Sequence, residues 1–174
     1  MRQRSLFLVL ALNCLACIAH AQVPPVGNPD QLSMLKSDDP VLARNKRLVF
    51  DFWRIVFEGG HMDKAARYMT KEYIQHNPNV TSGRDAFIAT IGKVRRPKPI
   101  ASRIKVPVVA ITAERDIVTV ATVRKMRDPQ HPDHIYYTTW FDMFRLNAQG
   151  LIAEHWDSSP LWTDGRPPGA EFLP

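Results

Sequence analysis

The chain has 174 residues, of which 45% are hydrophobic and 23% are charged, with a formal net charge of +6. This composition is that of one well-buried globular domain, too short for two comfortable ones, and it excludes collagens, coiled coils and low-complexity disorder.

Residues 1–21 have the three parts of a secretory signal peptide. Arg2 and Arg4 give a positive start, residues 6–16 form an apolar run, and Ala19-His20-Ala21 supplies the small residues of a cleavage site. We expect cleavage before Gln22, a periplasmic or secreted protein, and no membrane contact after signal removal. An uncut N-terminal anchor and lipid attachment at Cys17 are the alternatives. Both cysteines lie in this segment, which excludes a disulfide or a cysteine nucleophile in the mature chain.

The first part of the mature chain has helical patterns. Residues 22–39 are rich in Pro and Gly and are expected to form a flexible lead-in. Asp39-Pro40 is a typical helix start, and the apolar spacing that follows predicts a long amphipathic helix ending at Gly59-Gly60. Two shorter helices are predicted, over His61–Met69 and Asp85–Lys93.

The second part has the alternating pattern of strands. A short extended piece is predicted at 73–79, and four strands are predicted at 104–112, 117–123, 135–146 and 151–156, separated by turn signals. Helices followed by consecutive strands indicate an α+β domain with an antiparallel sheet, over residues 40–159. The Pro/Gly-rich residues 160–174 are expected to form a tail along the surface.

One acidic residue lies among apolar neighbours in the predicted strand 135–146. Alternation places Asp142 on the same side as the residues Tyr136, Thr138, Trp140, Phe144 and Leu146. Burial would raise the pKa of the Asp142 carboxyl and suit it to donate a hydrogen bond or transfer a proton. The alternative is a structural role, in which Asp142 caps a backbone donor or pairs with Arg145.

The last strand brings further titratable groups towards Asp142. In 151–156 and the residue after it, alternation places His155 and Asp157 on one side, and Ile152, Glu154 and Trp156 on the other. The turn at 147–150 makes a hairpin with the preceding strand, so His155 and Asp157 can approach Asp142. A histidine beside carboxylates is suited to proton transfer, although a hydrogen-bonded structural histidine is the alternative.

Metal and nucleic-acid binding are not predicted. The segment His131-Pro-Asp-His134 offers two imidazoles but lies in a proline-bearing loop, and the chain has no spacing typical of a metal site. The basic residues between 93 and 105 lack interleaved aromatic residues and are interrupted by prolines, so we interpret them as a solvated linker.

Three sequence blocks resemble the SnoaL-like branch of the NTF2-like superfamily: 73–78, 141–146 and 150–157, with similarity from about 41 to 159. The resemblance implies a cone in which a curved, mostly antiparallel sheet wraps three N-terminal helices around one deep pocket. It also implies dimerisation through the sheet. Members include polyketide cyclases, ketosteroid isomerases, dehydratases and proteins that only bind ligands, so the fold does not fix the function.

The resemblance also assigns roles to single residues. It places the oxyanion-stabilising acid of ketosteroid isomerase on Asp142, the tyrosine donor on Trp53 and the general base on Asn77. An amide cannot act as a base, which disfavours that reaction in that form. The resemblance implies that Asp142, His155 and Asp157 would be catalytic, without deciding between the two carboxylates, and that no metal or organic cofactor is needed. The substrate-binding residues would be Trp53, Tyr73, His76, Asn77 and Trp140.

The sequence therefore predicts an exported protein with an apolar pocket for a small molecule. The leading hypothesis is cofactor-free acid/base chemistry of the aldol, isomerase or dehydratase type on a carbonyl compound. The alternatives are a non-catalytic binding module and an interaction domain that uses the sheet face.

Overall fold

The computed structural model describes residues 23–162, 164–166 and 168–174. The predicted signal peptide, including the alternative lipid site at Cys17, lies outside the described residues. The fold is α+β, with three helices packed against a curved, unclosed sheet of five strands.

The long N-terminal helix begins where the sequence predicts. Helix α1, Pro40–Phe52, is capped by Asp39, whose carboxylate accepts hydrogen bonds from the backbone N–H groups of Val41 and Leu42. A π-helical turn, Trp53–Phe57, extends α1, and Gly60 follows with a φ of +74°, a conformation that favours glycine. The other two helices that pack against the sheet are a 3₁₀-helix, Met62–Arg67, and α2, Arg84–Val94. Short 3₁₀-helices also lie at Ser33–Leu35 and Ala170–Phe172. Within the described residues, no helix has the length and apolar character that crossing a bilayer requires.

The sheet has the order β1-β5-β4-β3-β2. Its strands are β1 (Met69–Gln75), β2 (Val108–Glu114), β3 (Ile117–Arg127), β4 (Ile135–Leu146) and β5 (Ile152–Asp157). The pairing of β1 with β5 is parallel, and the other three pairings are antiparallel. Strand β1 begins four residues before the predicted extended piece, at Met69. Strand β2 begins only after Pro107, which cannot donate a ladder hydrogen bond.

A β-bulge on β5 corrects the predicted alternation there. Arg145 of β4 pairs with Glu154, but the next residue, Leu146, pairs with Ile152, so Ala153 is an extra residue on β5. Ile152 is fully buried in the core, and the prediction that it shares a face with Glu154 and Trp156 is wrong. The bulge lets Ile152 fill the core while His155 still faces inward.

The core lies between the helices and the inner face of the sheet. Phe52 is its centre, with ring centroids 5.8 Å from Phe87 of α2 and 6.0 Å from Phe144 of β4. Val49, Phe50 and other fully buried residues of α1 continue the same packing. This arrangement holds α1 over the sheet strands that carry Asp142 and His155.

The segment between α2 and β2 is anchored to the domain, which corrects its interpretation as a solvated linker. The buried carboxylate of Glu58 accepts hydrogen bonds from the backbone N–H groups of Lys105 (2.8 Å) and Val106 (3.0 Å). The side chain of Gln31 donates to the carbonyl of Ile104 and accepts from its N–H group, at 2.8 and 3.0 Å. The hydrogen bonds of Gln31 also hold part of the segment 22–39 against the domain, a segment that the sequence predicts to be a flexible lead-in.

We expect Glu58→Ala to lower the free energy of unfolding by about 2 kcal/mol or more, because it leaves the N–H groups of Lys105 and Val106 without their acceptor. Glu58→Gln keeps one acceptor oxygen and should lose about half as much. Urea unfolding measures the change, with Glu72→Ala, at an exposed position of β1, as the control. Equal stability of the two alanine variants would contradict the anchoring role.

Candidate functional site

A cavity of about 600 Å³ lies between α1, α2, the inner face of the sheet and the C-terminal segment. Its apolar wall includes the aromatic residues Phe52, Trp53, Phe57, Phe87, Trp140, Phe144 and Trp162. Its polar groups from the sheet are Tyr73, Gln75, Asn77, Arg124, Asp142, His155 and Asp157. A cavity that combines an apolar wall with convergent polar groups is typical of a small-molecule site.

Asp142 and His155 form a buried hydrogen-bonded pair in this cavity. Asp142 Oδ1 lies 3.1 Å from His155 Nε2, and about nine-tenths of each side chain is buried. Burial raises the pKa of the Asp142 carboxyl, and the hydrogen bond and charge of His155 act in the opposite direction. The second carboxyl oxygen of Asp142, Oδ2, is buried and has no hydrogen-bond partner in the described part of the chain.

Gln75 fixes the orientation of the His155 ring. Gln75 Oε1 lies 2.9 Å from His155 Nδ1 and accepts a hydrogen bond of 3.0 Å from the backbone N–H of Asn77. A backbone N–H can only donate, so the Gln75 atom facing both groups must be the amide oxygen. His155 Nδ1 must therefore carry a proton and donate it to Gln75.

This constraint determines the protonation of the pair. With its proton on Nδ1, a neutral His155 can only accept at Nε2, so the hydrogen bond to Asp142 needs one further proton. Either Asp142 is a neutral acid that donates to Nε2, or His155 is cationic and donates to an ionised Asp142. The two forms differ only in the position of one proton between Oδ1 and Nε2.

Tyr73 extends the same chain of hydrogen bonds. Its hydroxyl oxygen accepts from Gln75 Nε2 at 2.8 Å, and no described residue accepts the hydrogen of the hydroxyl itself. Burial raises the pKa of Tyr73, as do the nearby carboxylates of Asp157 and Asp142. Tyr73 is thus a neutral phenol that can donate to a ligand oxygen.

Asp157 and Asn77 line the cavity but are held by other protein groups. Asp157 Oδ2 accepts from Asn77 Nδ2 at 2.7 Å, and Oδ1 accepts from the backbone N–H of Ser159 at 2.8 Å. Asn77 Oδ1 accepts from the backbone N–H and the side chain of Asn79, both at 2.8 Å. These bonds join the ends of β1 and β5, next to the pair formed by Asp142 and His155.

The structure brings Trp53 and Trp140 to the cavity wall, as predicted. The Trp53 indole is buried, with a ring centroid 6.3 Å from that of Phe144, and its Nε1 has no hydrogen-bond partner in the described ranges. Trp140 lies under the guanidinium of Arg124, whose Cζ is 4.7 Å from the ring centroid.

His76 is not brought to the cavity, contrary to its expected substrate-binding role. Side chains alternate along β1, so Tyr73, Gln75 and Asn77 face inward and His76 faces outward. The side chain of His76 is 41% exposed, and its Nε2 lies 2.7 Å from Glu154 Oε1. Its ring stacks on that of Trp156, with the two centroids 4.8 Å apart. It contributes to the outer face of the sheet.

Sequence reasoning missed two cavity residues, Gln75 and Arg124. Gln75 lies two residues from both Tyr73 and Asn77, so alternation within the extended piece could have identified it. Arg124 lies one residue beyond the predicted strand 117–123, which continues in the structure as β3 to Arg127. Arg124 follows the inward-facing Thr122 and is buried.

A metal ion would find three ligand atoms in the cavity. Asp142, His155 and Asp157 each offer one ligand atom, and these three atoms lie within 4.8 Å of one another. Binding there would displace the proton shared by Asp142 and His155, since metal ligands must be deprotonated. The imidazoles of His131 and His134 lie in an exposed loop, where their Nδ1 atoms are 3.3 and 3.5 Å from Asp128 Oδ2.

Similar solved structures share little sequence with this chain. A candidate polyketide cyclase from Acidithiobacillus ferrooxidans is 14% identical, with a TM-score of 0.46, covering 70% of this chain and 89% of that one. An NTF2-like protein of unknown function from Burkholderia pseudomallei is 12% identical, with a TM-score of 0.47, covering 66% and 88%. RV0760c from Mycobacterium tuberculosis, solved with estradiol-17beta-hemisuccinate, is 15% identical, with a TM-score of 0.40, covering 68% and 95%.

The family assignment comes from the sequence itself. The comparison with curated proteins gives no significant match. Residues 49–155, more than half of the chain, match the sequence model of the SnoaL-like domain. That range runs from α1 to His155 in β5 and includes the strands that carry Tyr73, Gln75 and Asp142. The chain therefore belongs to the SnoaL-like family of the NTF2-like superfamily.

Proposed function

We propose that the protein binds a small, mostly apolar carbonyl compound in the cavity and catalyses proton transfer on it without a cofactor. The observation that carries this proposal is the buried pair of Asp142 and His155, which shares one proton and is oriented by Gln75. General acid/base catalysis needs a group whose pKa is moved towards the working pH, and burial does this for Asp142.

The reaction begins with one proton between Asp142 Oδ1 and His155 Nε2. Asp142 Oδ2, which has no partner among the described residues, takes a proton from the carbon next to the substrate carbonyl. His155 then holds the proton that lay between Oδ1 and Nε2. The step therefore ends with a neutral carboxyl on Asp142 and a cationic imidazole on His155. The substrate becomes an enolate, and the Tyr73 hydroxyl donates a hydrogen bond to its oxygen.

The same geometry favours Asp142 over Asp157 as the primary acid/base. Both oxygens of Asp157 already accept hydrogen bonds, from Asn77 and from Ser159, whereas Asp142 keeps one unpaired oxygen. We assign Asp157 and Asn77 to positioning: their bonds join the ends of β1 and β5 and so hold Gln75 beside His155.

A non-catalytic binding protein is the second candidate, and one observation favours it. The position that resembles the general base of ketosteroid isomerase is Asn77, and both ends of its amide are bonded to protein groups. A protein without a second base can still bind a carbonyl compound through Asp142 and Tyr73. We also propose that the protein is exported and that it dimerises through the outer sheet face, where Phe141 is 53% exposed. Both proposals are compatible with either function.

Asp142→Asn should slow proton exchange at the carbon next to the carbonyl by about 100-fold or more, because an amide cannot accept that proton. His155→Ala should have a similar effect, because it removes the second proton site. The assay is deuterium incorporation from solvent into a panel of aryl ketones, cyclic enones and β-keto acids, followed by mass spectrometry. Asp133→Asn, at an exposed loop position, is the control. Ligand-dependent thermal stabilisation without exchange would instead establish the binding protein.

The pH dependence of stability tests the raised pKa of Asp142. A native Asp142 carboxyl with a raised pKa keeps a proton that the aspartate of the unfolded chain releases above a pKa of about 3.9. The contribution of Asp142 to stability must then fall as pH rises above that value, by up to about 1.4 kcal/mol per pH unit. The free energy of unfolding of the wild type, relative to Asp142→Asn, should be greatest near pH 4 and should decline towards neutral pH. A difference that is independent of pH would contradict the retained proton.

Gln75→Met should lower the exchange rate by about 10-fold while leaving ligand affinity nearly unchanged, because it removes the acceptor that fixes the His155 tautomer. Gln75→Glu restores an acceptor and should recover part of the rate. Two-dimensional nitrogen NMR of the imidazole reports the tautomer directly. A wild-type spectrum with the proton on Nε2 alone would overturn the assignment.

A further inference from the structure

Arg124 is a buried cation that lines the cavity, and no described residue contacts it as a counter-ion. Its side chain follows Thr122 on the inner face of β3, and the residue is 7% exposed. Its guanidinium Cζ lies 4.7 Å from the ring centroid of Trp140, which fixes the position of the group. Within the described residues, its Nε is buried without a hydrogen-bond partner, and no carboxylate lies within salt-bridge distance of the side chain.

Such a group is unfavourable in the unliganded protein. Burial lowers the pKa of Arg124, and Asp142 and Asp157 act on it only through their charges, not through hydrogen bonds. A guanidinium is an obligatory donor with five N–H groups, and burying its Nε–H without an acceptor costs free energy. A ligand in the cavity can supply acceptors to the guanidinium.

The remaining charges of the cavity also favour an anion. Four further basic residues line it: Lys93, Arg95, Lys98 and Arg166. The acidic lining residues are Asp142, Asp157 and Glu171. Of these, Asp142 shares a proton with His155, and Asp157 is held by Asn77 and Ser159. With Arg124, the basic lining residues therefore outnumber the acidic ones.

We propose that Arg124 binds a carboxylate of the ligand, so that the substrates of this site are apolar carbonyl compounds that carry a carboxylate away from the reacting carbon. This inference rests on the proposed function and adds the substrate class. The planar fork of a guanidinium matches a carboxylate with two parallel hydrogen bonds.

The sheet register places the backbone positions of Arg124 and Asp142 at different levels of the inner face. Arg124 pairs with Thr138 on β4, four residues from Asp142 and on the same face. At the rise of an extended strand, the Cα level of Arg124 is about 13 Å from that of Asp142. The aromatic ring of Trp140 lies between these two levels. A ligand with its carbonyl at Asp142 and its carboxylate at Arg124 would lie along the apolar wall.

The test compares 4-(1-naphthyl)butanoic acid with its primary amide by isothermal titration at pH 7. The two probes have the same apolar body and differ in charge. The wild type should bind the acid about 10-fold or more tightly than the amide. Arg124→Met should bind both with similar affinity, and Arg124→Lys should keep part of the preference. Arg67→Met, which removes the same charge from an exposed position, should behave as the wild type.

The outcomes separate this inference from the proposed function. If the wild type binds the acid and the amide equally, or if Arg124→Met keeps the preference, the carboxylate assignment is overturned while the ligand cavity stands. If neither probe binds, the carboxylate assignment is overturned, and the deuterium-exchange assay decides the proposed function separately.

The stability of the unliganded protein separates ligand binding by Arg124 from a purely structural role. The melting temperature of unliganded Arg124→Met should equal or exceed that of the wild type, because the variant removes an unpaired buried charge. The acid should raise the melting temperature of the wild type and have little effect on the variant. A variant that is less stable without ligand would show that Arg124 serves the fold and would overturn the inference.

Discussion

The site depends on the backbone N–H of Asn77, which can only donate a hydrogen bond. Its bond to Gln75 Oε1 fixes which end of the Gln75 amide faces His155, and this places a proton on His155 Nδ1. His155 Nε2 is then available to share a proton with Asp142. The position of the proton on His155 Nδ1 is thus determined by a backbone N–H that reaches the ring through Gln75.

The strand pairing is what makes this chain of bonds possible. Gln75 pairs with His155 because β1 lies parallel to β5, and Asp142 pairs with Asp157 across the antiparallel hairpin of β4 and β5. The bulge at Ala153 keeps His155 facing inward after the buried Ile152. A one-residue change of register would turn these side chains to the outer face. The pairing and register of the strands therefore determine which side chains meet in the site.

The cavity buries polar atoms whose hydrogen bonds are incomplete. Arg124 Nε and Asp142 Oδ2 are buried without hydrogen-bond partners among the described residues. The burial of Val49, Val56 and the other apolar core residues offsets the cost of burying these atoms. Natural proteins break the rules of packing most often where they bind or react.

The sequence by itself determined the helices from Asp39 to Gly60, the inward face of β4 and the hairpin that brings His155 towards Asp142. These features depend on short-range patterns: a cap, a helical period, an alternation and a turn. Only the tertiary structure decided that Gln75 orients His155, that His76 faces outward, that β1 begins at Met69 and that Arg124 enters the cavity. Those outcomes depend on the parallel pairing of β1 with β5 and on the full length of β3. Residues about 80 positions apart meet there, and no local pattern in the chain encodes such a contact.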